Sequence, residues 1–136
     1  MDFTNIKVPK GIKARQPTES ELEYFRRNTN VSGMATDDDA VILNPYSGLK
    51  ESEYQAVALN ESSRILMRQP KYAPDFDLTE QQIRFLDSTT YRNASEDDRK
   101  ATRAARLLSG DPRGGIATTE QSVFVKNLQQ ALQIGD

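Results

Sequence analysis

The 136-residue sequence has no cysteine, no histidine and no tryptophan. Without cysteine there is no disulfide framework, no thiol nucleophile and no thiolate set for a soft metal, and the chain suits a reducing compartment. Without histidine, the side chain that most often moves protons near neutral pH is missing as well. Long apolar runs are also lacking. Nothing approaches the ~20 consecutive apolar residues of a membrane span, and the first residues lack the apolar stretch of a signal peptide. These absences lead us to expect no enzyme activity, no cofactor, no metal and no membrane contact.

Apolar residues make up 36% of the chain, and several are alanines. One small domain with that supply has a thin core. Burial against copies of itself or against another protein is the natural remedy.

The net charge of −2 is unevenly placed. Residues 1–16 carry Lys7, Lys10, Lys13 and Arg15 against Asp2, a net +3, which leaves −5 on residues 17–136. Four cations supply few phosphate contacts, so nucleic acid is not an expected partner. The organisation expected is an extended N-terminal arm, 1–16, ahead of a single small helical domain, 17–136. The arm has scattered apolar residues and no sustained period, so it cannot offset its own ordering entropy. A neighbouring chain is expected to hold it through Phe3, Ile6, Val8 and Ile12.

Beyond the arm, the sequence predicts a mainly α fold of four or five short capped helices and one small β-hairpin. Thr18 and Glu21 have capping-box spacing and open a helix over about 18–28. Apolar, β-branched segments on either side of Asp37-Asp38-Asp39 predict a hairpin over 31–43, closed by Asn44-Pro45. The longest helix, about 50–68, places Tyr54, Val57, Ala58 and Ile65 near one stripe that Glu61 interrupts, giving two buried patches. Pro70 and Pro74 predict an extended connector carrying Tyr72 and Phe76. Thr79 and Gln82 repeat the capping-box spacing. A fourth helix over 96–108 begins with three carboxylates that suit its dipole, and Gly110 is placed to end it. A last helix spans about 119–133.

Several constellations invite a chemical reading. Asp37–Asp39 lacks the alternating ligands of a calcium loop and reads as a hairpin turn. Arg99, Arg103 and Arg106 share one helix face: a solvated stripe, or an interface for carboxylates of a neighbouring subunit. The glycine-rich Ser109–Gly115 stretch lacks the Lys-Ser/Thr and preceding strand of a phosphate loop, and reads as a connector. Glu61 is the best candidate for a general acid, because burial would raise its pKa, but the sequence marks no second carboxylate opposite it. Tyr72 and Phe76 either fill a partner's pocket or cover the protein's own core.

Three segments, GMATDDDAVILNPYSGL, AVALNESSRILMR and DFDLTEQQIRFL, lie within residues 33–86. Together they resemble small proteins encoded by tailed bacteriophages. The resemblance implies a virion component made in a host cytoplasm, with other virion proteins or copies of itself as partners in a symmetric assembly. A tail or head-to-tail adaptor or fibre-attachment protein is the first expectation. A capsid cement protein is the alternative, as is a soluble phage protein that inhibits a host enzyme through Asp37–Asp39 and Glu96–Asp98.

Overall fold

A computed structural model describes residues 3–111 and 113–134. Its elements, in order, are β1 (Lys13–Ala14), α1 (Glu19–Arg27), β2 (Gly33–Ala35), β3 (Ala40–Leu43), α2 (Glu51–Met67), α3 (Glu80–Asp87), α4 (Glu96–Leu108) and α5 (Thr119–Ile134). The fold is mainly α with a small β part.

Local chemistry sets the helix starts. The Thr18 and Thr79 side chains accept from the backbone N–H groups of Glu21 and Gln82, whose own side chains reach back to the caps. Ser95 caps α4 through the Asp98 N–H. Lysine cannot accept in this way, so α2 begins with Glu53 alone reaching back, 2.9 Å from the Lys50 N–H.

β2 and β3 form the expected hairpin, paired antiparallel with Met34 opposite Ile42. Its acidic turn closes through the Thr36 N–H on the Ala40 carbonyl, with Asp39 at φ 58°. Asn44 ends β3 as a fully buried hub. Its side-chain amide donates to the carbonyls of Phe25, Asn28 and Val31, tying the end of α1 to the sheet. A third strand was not foreseen. Two arm residues, Lys13 and Ala14, pair parallel with Ala40 and Val41, so the sheet order is β1-β3-β2.

The core has two parts. One holds Val41, Leu43, Tyr54, Ala58 and Ile65 between the sheet and α2. The other holds Met67, Phe76, Ala104, Ala105, Leu128 and Leu132, where α4 and α5 meet the end of α2. The break at Glu61 does not divide the stripe as expected: Tyr54, Val57, Ala58 and Ile65, from both sides of it, join the first cluster, while Leu59, Leu66 and Met67 turn another face of α2 to the second.

Two expectations are corrected. The arm does not need a neighbouring chain: Phe3, Ile6, Val8 and Ile12 all pack on the sheet-side cluster, with the Phe3 ring edge-on to Tyr54 at 4.9 Å. Gln55 clasps the arm's backbone, accepting from the Lys7 N–H at 2.9 Å and donating to the Lys7 carbonyl at 2.7 Å. The dock is made by residues 41–58, so the arm's own sequence gives no sign of it. The connector is also not wholly extended. Pro70–Tyr72 forms a single 3-10 turn, for which the fixed φ of Pro70 is suited.

Candidate functional site

Sheet order leaves β2 as a free edge. Such an edge offers unpaired peptide groups to any passing strand unless something covers it. The Asn44 N–H donates to the Ser32 carbonyl and the Thr36 N–H to the Ala40 carbonyl. Alternation along the strand therefore turns the Gly33 and Ala35 peptide groups outward. Arg68, just past α2, covers part of this edge. Its guanidinium donates to the Ala35 carbonyl at 2.9 Å and the Thr36 carbonyl at 2.6 Å, and pairs with Asp39 at 2.7 Å.

Beside this edge runs an open groove of about 570 Å³. Its apolar lining comes from Met34, Met67, Pro74 and Ala101, and its polar lining includes Glu61, Arg64, Arg68, Tyr91, Asp97 and Asp98. Both arginines are already engaged. Arg64 donates to Asn60 and to Thr102, and lies 5.7 Å from the Tyr91 ring centre. Asp97 and Asp98 are not, whereas Glu61 faces the Ala35 backbone N–H; none of the three makes a salt bridge among the described residues. Glu61 is only half-buried, yet desolvation by the surrounding groove walls raises its pKa above the ordinary carboxyl value; Arg64, the Ala35 backbone and Arg68 oppose the rise without cancelling it. The sequence singled out Glu61, but could not show that the start of α4 lines the same groove. Among the described residues, no group of three or more carboxylates is placed to hold a metal ion.

The arginine stripe serves neither role considered for it. Arg103 is 3% exposed and donates to the carbonyls of Arg113, at 2.8 Å, and Gly115, at 2.6 Å, pinning the loop after α4. Arg99 ties α4 to α3 through the Ile83 carbonyl and Asp87. Arg106 lies 5.5 Å from the Tyr91 ring centre and 6.0 Å from that of Phe85. Burial lowers the pKa values of Arg103 and Arg106 from the ordinary guanidinium value, but guanidinium groups stay charged in proteins. A helical period shows that three side chains share a face. It does not show that α3 and a loop cover that face.

The glycines of that loop have a packing role. Gly114 and Gly115 adopt φ of 97° and 109°, and a Cβ on Gly114 would lie 2.9 Å from the Phe85 ring.

Of the two connector aromatics, Phe76 is buried, edge-on to Phe124 at 5.3 Å. It covers the protein's own core and is not free for a partner. Tyr72 remains half-buried beneath Lys71, whose ammonium is 5.4 Å from its ring centre.

The acidic turn is engaged too. Arg15 bridges Glu21, at 2.7 Å, and Asp38, at 3.0 Å, and Lys13 also reaches Asp38 at 3.0 Å. These cations hold Glu21 at about 2 and Asp38 well below the usual carboxyl range.

No protein-family model, curated protein or solved structure matches this chain. No helix among the described residues is long and apolar enough to cross a membrane.

Proposed function

We propose that this chain is a non-catalytic structural component of a tailed-bacteriophage particle, present in several copies as an adaptor or fibre-attachment piece in the tail or head-to-tail region. The supporting observation is the use made of its strongest polar groups. Arg15, Arg68, Arg99 and Arg103 each tie one segment of the chain to another. Such cross-links favour a stiff body that transmits position over a site that moves with a substrate. The segments of 33–86 that resemble tailed-phage proteins also contribute one wall of the groove and the sheet edge beside it, which Arg68 covers in part, so the resemblance includes surface that a partner could reach.

The inhibitor reading has less to stand on. Asp38 and Asp39 are occupied by Lys13, Arg15 and Arg68, which leaves fewer carboxylates to present to a basic enzyme groove. The deciding experiment is mass spectrometry of purified particles. The protein is expected in virions at a fixed ratio to known tail or portal proteins, and its complete absence from them would defeat the proposal.

A further inference from the structure

The groove has a charge complement on the same molecule. Lys7 and Lys10 are both exposed, and neither makes a salt bridge among the described residues. They do not sit on a loose tail. Gln55 clasps the Lys7 backbone in both directions, Pro9 between them is buried, and the Ile12 N–H closes a turn on the Pro9 carbonyl. A basic knob held this firmly loses little freedom on binding.

Knob and groove face away from each other. The arm runs into β1 at one edge of the sheet, and β2 borders the groove at the other. On α2, Gln55 and Leu59 line the surface next to Lys7, whereas Glu61 and Arg64 further along it, and Arg68 just beyond its end, line the groove. At 3.6 residues per turn these two sets lie roughly half a turn apart on the helix axis. A chain therefore cannot place its own knob in its own groove.

We propose that the groove between β2, α2 and α4 receives the Lys7–Lys10 knob of a second copy of this chain, in a head-to-tail contact. The lysine ammoniums meet Asp97 and Asp98 on the rim, and their aliphatic stems lie on Met34, Met67 and Pro74. Because the two surfaces differ, the contact is heterologous, and repeating it builds a closed ring or an open filament. Taking a second copy as occupant rests on the assembly role proposed above, although the contact is testable on the isolated protein.

The experiment uses sedimentation equilibrium of the full chain at low salt and at about 0.5 M salt. Wild type is expected to associate as concentration approaches roughly millimolar, and to dissociate at high salt. Lys7→Glu/Lys10→Glu and Asp97→Asn/Asp98→Asn each remove one side of the contact, and each is expected to weaken self-association roughly tenfold or more. All four positions are exposed, so circular dichroism should be unchanged. Mixing the two variants is decisive. One retains an intact groove and the other an intact knob, so the mixture should form one-to-one dimers and nothing larger. Association of either variant like wild type, a mixture that stays monomeric, or a wild type that is monomeric throughout would each overturn the contact. Such a failure, with the protein still found in virions, would remove the contact and leave the proposed function standing.

Discussion

Gln82 and Gln121 form a buried reciprocal pair whose energetics can be measured. Each serves the cap of its own helix, accepting from the Thr79 N–H at 2.9 Å and the Thr118 N–H at 3.1 Å. Each also donates to the other, Gln82 Nε2 to Gln121 Oε1 at 2.8 Å and Gln121 Nε2 to Gln82 Oε1 at 2.7 Å. Their remaining N–H groups reach the Ile116 and Asp77 carbonyls. Gln82→Met keeps similar bulk but removes four hydrogen bonds. The exposed Ile116 region can turn to water, whereas the Gln121 amide is fully buried and cannot. An orphaned buried group costs about 1–3 kcal/mol, so with the weakened cap the loss is about 3 kcal/mol. In a chain of this size that lowers the melting temperature by roughly 10 °C. Gln121→Met should cost a similar amount. The double variant should cost less than the two losses combined, with a coupling of about 1–2 kcal/mol, because neither amide is then left facing an apolar partner. Calorimetry of the four proteins closes the cycle. Strict additivity would refute the reciprocal pairing. Gln82→Glu is a cross-check. A buried carboxylate there has a raised folded pKa, so the variant should be most stable at low pH and lose stability as pH climbs past the ordinary value of about 4.3.

Acid should loosen the arm. Glu21 and Asp38 have depressed pKa values in the folded chain, so their contribution is complete above the ordinary carboxyl range of about 4 and is lost as pH falls towards 2. Glu21→Gln/Asp38→Asn should flatten that part of the stability–pH curve, and an unchanged slope would contradict the clamp. Gly33→Ala should destabilise by about 1–3 kcal/mol, because its Cβ would lie 2.7 Å from Val57 Cγ1 and 2.9 Å from the Ile42 carbonyl oxygen; a denaturation midpoint equal to wild type would show that α2 yields there. Arg103→Met should keep the helices and free the loop after α4, seen as faster amide hydrogen exchange over 113–117. Unchanged exchange would mean that Arg103 does not hold the loop.

What could be read from the chain alone was whatever is local. Thr18 with Glu21 and Thr79 with Gln82 mark helix starts because a capping box is complete within four residues. Asp37–Asp39 marks a turn for the same reason. What could not be read depends on a second segment. Gln82 looks like half of one cap until Gln121 arrives from another helix. The apolar residues of the arm follow no period because their spacing answers to a surface built by residues 41–58. Arg99, Arg103 and Arg106 have the spacing of an outward face, and only the position of α3 shows that the face is covered. At Glu61 the break in the stripe was legible, but the groove it borders needs α4, more than thirty residues later.

The parallel pairing of β1 with β3 imposes an order on folding. Lys13 and Ala14 leave the ribosome well before Ala40 and Val41, their ladder partners, and before Gln55, which clasps Lys7. Synthesis at roughly 5–20 residues per second separates the arm from these partners by seconds, far longer than the closure itself takes. Each new chain therefore passes through an interval in which a positively charged arm has emerged and the strand and helix that it docks on have not. During that interval the dock of another chain whose own arm has not yet closed offers the arm the same partners as its own. Crowded synthesis should thus favour exchange of arms between copies, whereas dilute refolding should return each arm to its own body.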